Sequence, residues 1–76
     1  MRNFYVISSA VAPIYREYNF ESEMVTQGLM WDNLNILKIH NDWFYIQMED
    51  GYKGWIHNFY LKNVPLINNK TFFINN

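Results

Sequence analysis

Few side chains in this 76-residue chain are of types that carry out covalent chemistry. Cysteine is absent, which excludes a thiolate nucleophile, a disulfide and a thiolate metal site. The two histidines, His40 and His57, have no second ligand at a metal-binding spacing, so we expect solvated histidines near turns. No Ser-His-Asp order or paired-carboxylate motif is present. The sequence therefore predicts no catalytic residue, no metal site and no cofactor.

Glu17 is the carboxylate with the clearest possible binding role. It follows Arg16 in a polar segment that also contains Tyr18 and Phe20. In one interpretation it is a solvated loop carboxylate paired with Arg16, a contact worth less than about 1 kcal/mol. In the other it captures the ammonium group of a ligand, because nearby aromatic rings exclude water and strengthen a charge-assisted hydrogen bond. The residues alone leave both interpretations open.

Aromatic residues make up 20% of the chain and are the second group of candidates. Alternate side chains of a strand point to opposite faces, so Phe44 and Ile46 share one face while Trp43 and Tyr45 share the other. Ile56 fits the core face, and Trp55 then points away from it. The candidate ligand-binding rings of an exposed aromatic platform are Tyr15, Tyr18, Phe20, Tyr52 and Trp55. The alternative is that large rings fill the core of a small domain, and we favour it for Trp43.

Short strands would position these residues. The sequence predicts strands over residues 4–7, 11–15, 23–27, 35–39, 43–48, 52–57 and 61–63, with one 3₁₀ turn over 58–60. Asp50-Gly51 predicts a hairpin turn, Asp32-Asn33 a second turn, and Gly54 a bulge or a close backbone approach. A helix over residues 17–29 is an alternative, because apolar residues recur there at helical spacing.

The size and charge of the chain restrict the number of domains and the kinds of partner that it can have. Residues 1–65 form one predicted domain, and residues 66–76 are a tail or a linker toward a missing domain. The formal net charge is −1 without a basic run, which argues against a nucleic-acid partner. No apolar run is long enough to span a membrane, so no membrane partner is expected. The N-terminus lacks the apolar core of a signal peptide, and with no cysteine this favours a cytoplasmic location.

Several stretches taken together resemble one protein family: residues 10–17 (AVAPIYRE), residues 22–27 (SEMVTQ), Asp42-Trp43, and residues 49–56 (EDGYKGWI). They are similar to the N-terminal bacterial SH3 domain of NlpC-type cysteine peptidases, the γ-D-glutamyl-L-diamino-acid endopeptidases or dipeptidyl-peptidase VI family. The similarity implies an all-β, SH3-like barrel of five to six strands with an elaborated first loop and a short 3₁₀ turn. The family often has arginine in place of Tyr15 and Pro-Ser in place of Tyr18-Asn19, and its peptidase domain is missing here.

The resemblance implies a non-catalytic recognition module. Such a module helps to bind or gate murein stem peptides with a free N-terminal L-Ala for a cysteine peptidase catalytic domain, in cis or in trans. By position, Glu17 and Tyr52 are expected to recognise the L-Ala amine, with Trp55 as a wall of the site. Two alternatives remain: a stand-alone adaptor that binds a cell-wall or protein ligand through an aromatic face, and a module that only docks and stabilises its neighbour.

Overall fold

A computed structural model describes residues 3–65, and the predicted tail over 66–76 lies outside the described residues. The elements in chain order are β1 (Asn3–Ile7), β2 (Val11–Tyr15), β3 (Met24–Leu29), β4 (Leu34–His40), β5 (Trp43–Met48), β6 (Lys53–His57), a 3₁₀ turn (Asn58–Tyr60) and β7 (Leu61–Pro65). The all-β prediction and the 3₁₀ turn are confirmed. The structure has seven strands, as many as the sequence pattern predicts and more than the five to six that the resemblance implies.

The strands form two antiparallel sheets. One has five strands in the order β3-β2-β6-β5-β4, and the other pairs β1 with β7. A single bridge between Val6 and Asn33 joins β1 to the start of β4. Within residues 3–65 the ladders stop short of a closed barrel, so this SH3-like fold is two sheets wrapped around one core.

The alternative helix over residues 17–29 is wrong. Residues 24–29 are instead a strand that pairs along its length with β2, from Val11 opposite Leu29 to Tyr15 opposite Met24. Pairing with β2 gives these backbone groups a hydrogen-bonded ladder, and that tertiary interaction overrides the helical spacing of the apolar residues.

The turns agree with the prediction in one place and differ in another. Gly51 has φ 98°, and its N–H donates to the Met48 carbonyl at 2.9 Å, so glycine provides the backbone angle that this hairpin needs. The turn expected at Asp32-Asn33 lies earlier, at Met30-Trp31, and Trp31 has φ 73°. Asp32 closes that turn, since its carboxylate accepts the Leu29 N–H and its own N–H donates to the Leu29 carbonyl, both at 2.9 Å.

The core lies on one face of the five-stranded sheet and is closed by Ile7 of β1, with Tyr5, Tyr60 and Leu61 packed against the cluster. Its buried members are Ile7, Ala12, Ile14, Leu34, Phe44, Ile46, Met48 and Ile56. The predicted division of β5 into a core face and an outer face is confirmed. Each aliphatic side chain buried in full contributes about 1.5–3 kcal/mol, which is the main stabilisation available to a domain of this size.

Gly54 is the close approach that the sequence predicted. A Cβ atom at this position would lie 2.6 Å from Ile14 Cγ2 and 2.9 Å from the Tyr15 carbonyl oxygen. The absence of a side chain therefore lets β6 lie against β2, and this contact sets Trp55 directly opposite Tyr15.

Candidate functional site

The side of the five-stranded sheet away from the core carries rows of aromatic and basic side chains, which we call the outer face. One row crosses four strands, because Tyr15 pairs with Trp55, Trp55 with Tyr45, and Tyr45 with Lys38. A second row runs from His57 through Trp43 to His40, and a third holds Lys53 opposite Gln47. Directly paired residues of an antiparallel sheet project on the same side, so these side chains are neighbours.

Two rings of the first loop, defined as residues 16–23, pack onto the outer face. Tyr18 lies with its ring centroid 5.0 Å from that of Trp55 and 4.2 Å from that of His40. Phe20 lies 4.8 Å from Trp43 and 5.1 Å from His57. The loop therefore folds back over the sheet and covers both tryptophans, each of which is only 9% exposed.

Hydrogen bonds within the first loop fix the backbone next to Glu17. The Glu17 N–H donates to Ser22 Oγ at 2.9 Å, and the Glu17 carbonyl accepts the Asn19 N–H at 2.9 Å. At the base of the loop, the Arg16 N–H donates to the Glu23 carbonyl at 2.8 Å. Main-chain bonds and the two anchored rings thus hold the loop as one defined element.

The Glu17 side chain is exposed, and its carboxylate forms no ion pair within residues 3–65. The pairing with Arg16 considered from the sequence is wrong. Arg16 Nε instead contacts Glu23 Oε1 at 3.2 Å across the base of the loop. Glu23 thereby occupies the Arg16 guanidinium and leaves the Glu17 carboxylate available to a cation from outside.

Tyr52 lies apart from the aromatic cluster. Its side chain is 56% exposed and contacts no other ring of the described residues. Its backbone is held in the hairpin turn, since its N–H donates to Asp50 Oδ1 at 3.3 Å and its carbonyl accepts the Met48 N–H at 2.8 Å. The phenol is therefore presented to solvent at the start of β6.

The structure brings some predicted site residues together and separates others. Tyr15, Tyr18 and Trp55 lie in one cluster, while Tyr52 stands outside it after the β5–β6 turn and Glu17 precedes Tyr18 in the first loop. The predicted exposed platform is wrong for Trp55, which is buried because Tyr18 covers it. The exposed rings on this side are Tyr18 and Phe20.

Sequence reasoning missed that both histidines belong to the outer face. His40 stacks on Tyr18, and His57 lies between Phe20 and Trp43, at 5.1 Å from each. His57 Nδ1 also accepts the Phe59 N–H at 3.1 Å, which caps the 3₁₀ turn. Alternation within β5 assigns Trp43 to this face. His40 and His57 are the direct partners of Trp43 on the neighbouring strands, so both histidines project on the same side.

A shallow polar cavity of about 190 Å³ lies elsewhere, between the β3–β4 turn and the β5–β6 turn. Its lining residues are Thr26, Gln27, Asp32, Asn33, Met48, Glu49 and Asp50. None of the predicted site residues lines it, although Tyr52 follows it closely in the chain. The part of the chain that the structure describes contains no group of three histidine, cysteine or acidic side chains arranged to hold a metal ion. It also contains no helix of the length and apolarity needed to cross a membrane.

Comparison with known proteins identifies the family to which the chain belongs. No curated protein sequence is significantly similar to this chain. Residues 14–58 match the family model described as the bacterial dipeptidyl-peptidase SH3 domain, and that match covers more than half of the chain. It runs from the end of β2 through the first loop and the outer face to the start of the 3₁₀ turn. This chain therefore belongs to the bacterial dipeptidyl-peptidase SH3 domain family.

Proposed function

We propose that this domain is a non-catalytic recognition module that captures the free N-terminal amine of murein stem peptides for a cysteine peptidase catalytic domain, in cis or in trans. The main observation that supports the proposal is an exposed carboxylate on an anchored first loop. The Glu17 carboxylate is exposed and without an ion pair among the described residues, on a loop that two anchored rings and several hydrogen bonds hold in place.

The proposal gives each of the three main residues a separate role. Glu17 accepts hydrogen bonds from the ammonium group of the first residue, and the charge on both partners makes these bonds stronger than neutral ones. The Tyr52 hydroxyl, exposed at the start of β6, donates or accepts a further bond. Trp55 contributes as the buried support of Tyr18, and Tyr18 and Tyr15 form the apolar side of the site.

The chemistry of the reaction would belong to the partner domain. A cysteine thiolate there would cleave the peptide, and this module would supply affinity for the amine and so fix which bond is presented. A cytoplasmic place of action is part of the same proposal, because a small domain without disulfides suits a reducing compartment. Fractionation of cells with an antibody against this chain tests that part.

The adaptor with an aromatic binding face is less well supported. Both outer-face tryptophans are covered by the first loop, so a ligand would have to displace Tyr18 and Phe20 before it could stack on them. The amine site needs no such rearrangement.

Substitution of Glu17 tests the proposal. We expect Glu17→Gln to weaken binding of the dipeptide L-Ala-γ-D-Glu by about two- to fivefold, as for an exposed ion pair. Glu21→Gln is the matched control, because Glu21 is an exposed glutamate of the same loop. Affinities measured by NMR titration should separate the two variants, and equal affinities for both would contradict the proposal.

A further inference from the structure

We propose that Ser22 is a positioning residue, whose hydroxyl group holds Glu17 in the orientation that captures an amine. The inference rests on the proposed function, since it names the group that prepares the Glu17 carboxylate for its ligand. Ser22 acts through the main chain of Glu17 and makes no contact with the peptide. It thereby preorganises the loop before the ligand arrives, which is a source of affinity separate from the ionic contact itself.

The Ser22 hydroxyl joins the two sides of the first loop. At the base of the loop, the Arg16 N–H donates to the Glu23 carbonyl at 2.8 Å, as in a strand ladder. One residue further into the loop, the Glu17 N–H donates to a side chain instead, Ser22 Oγ at 2.9 Å. The same hydroxyl donates to the Glu23 carbonyl at 3.5 Å. One side-chain oxygen therefore takes the place of the next main-chain acceptor.

This bond completes the restraints on Glu17. The Glu17 carbonyl already accepts the Asn19 N–H at 2.9 Å. The following residue, Tyr18, is anchored with its ring centroid 5.0 Å from that of Trp55. Ser22 supplies the remaining restraint, on the N–H side. Because both peptide units of Glu17 are held, its Cα–Cβ bond has one direction, and the reach of the carboxylate is limited to the space in front of it.

Ser22 differs from the other polar side chain of the loop that bonds to the backbone. Asn19 Oδ1 accepts the Glu21 N–H at 2.9 Å, a bond that does not involve Glu17. Among the described residues, Ser22 provides the side-chain bond to the Glu17 main chain. Without this hydroxyl the Glu17 N–H would turn to water, and the loop would sample other conformations. Affinity then falls in proportion to the fraction of molecules that keep the competent loop.

Two substitutions of Ser22 test the proposal by NMR titration with L-Ala-γ-D-Glu. We expect Ser22→Ala to weaken binding by about two- to fivefold and by no more than Glu17→Gln does, because both act through one carboxylate. Ser22→Thr keeps the hydroxyl and should bind as the wild type does. Ser9→Ala is the matched control, since the Ser9 hydroxyl donates to the Val11 carbonyl at 2.7 Å, between β1 and β2.

A double variant distinguishes positioning from a general loss of structure. In a chain that already carries Glu17→Gln, we expect Ser22→Ala to cause no further loss of affinity, because the carboxylate that it positions is gone. A loop that was merely loosened would lose the same factor in both backgrounds. Hydrogen exchange of the Glu17 amide should be faster in Ser22→Ala than in the wild type or in Ser22→Thr, since the bond protects that proton.

The outcomes separate this inference from the proposed function. Wild-type affinity in Ser22→Ala, an equal loss with and without the Glu17 carboxylate, or unchanged exchange of the Glu17 amide would overturn the role of Ser22 while amine capture stands. Wild-type affinity in Glu17→Gln would overturn amine capture and, with it, the role of Ser22.

Discussion

The ring of Tyr18 packs edge-on against Trp55, with 5.0 Å between the ring centroids and an interplanar angle of 72°. This contact joins the first loop to the centre of the outer face. Glu17 is the residue next to Tyr18 in the chain, so the contact also limits where its carboxylate can lie. An aromatic pair of this kind contributes about 0.5–1.5 kcal/mol beyond the area it buries, enough to favour one loop position.

The first prediction concerns the second anchor of that loop. Phe20→Ala removes the ring that covers Trp43 and should lower the free energy of unfolding by about 1 kcal/mol, since several ring contacts are lost. Trp43 should then become accessible to solvent. Acrylamide quenching of tryptophan fluorescence measures this directly.

Phe59→Ala is the matched control for that experiment. Phe59 is 73% exposed and its ring packs on Tyr60 rather than on a tryptophan. Its loss should leave quenching unchanged. If Phe20→Ala and Phe59→Ala raise quenching equally, or if neither does, the anchoring of the first loop by Phe20 is refuted.

The second prediction concerns the backbone contact at Gly54. Gly54→Ala forces a Cβ atom against Ile14 and the Tyr15 carbonyl, and should cost about 1–3 kcal/mol of stability, as for an overpacked core. The urea midpoint of unfolding measures the loss. Lys53→Ala, at the exposed neighbouring position, should change stability by no more than about 0.5 kcal/mol. A Gly54→Ala variant as stable as the wild type would show that β2 and β6 do not lie as close as described.

Much of this fold could be predicted from the chain because its signals are local. The alternation in residues 43–48 separated Phe44 and Ile46 from Trp43 and Tyr45, and Asp50-Gly51 marked the hairpin. The turn at Met30-Trp31 could not be predicted in the same way. A tryptophan with positive φ is rarely chosen by local preference. The hydrogen bond from the Trp31 N–H to the Ile7 carbonyl is a tertiary contact with β1, which a local pattern does not reveal, whereas the bonds between Leu29 and Asp32 are local and close the turn.

The site was predictable in its members but not in its arrangement. The sequence selected Glu17, Tyr18 and Trp55, yet it could not indicate that Tyr18 would cover Trp55. It also could not indicate that Trp55 would lie directly opposite Tyr15, because that relation depends on the register between β2 and β6. Register is a property of paired strands, and a pattern within one strand carries no information about it.

The third prediction concerns the phenol at the hairpin. Tyr52→Phe removes only the hydroxyl, so we expect the affinity for L-Ala-γ-D-Glu to fall by about two- to tenfold, as for one hydrogen bond, with unchanged stability. The ring is exposed and contacts no other ring of the described residues, so the fold does not depend on it. Tyr60→Phe, a tyrosine beside the core, is the control and should bind normally. An unchanged affinity in Tyr52→Phe would remove this residue from the site.

Amine capture is tested most directly by an NMR titration of the 76-residue chain with L-Ala-γ-D-Glu and, separately, with its N-acetylated form. Acetylation removes the positive charge and leaves the rest of the ligand in place. The account predicts chemical-shift changes centred on Glu17, Tyr52 and Tyr18 with the free amine, and their loss with the acetylated peptide. Shift changes of equal size with both peptides, or none with either, would contradict it.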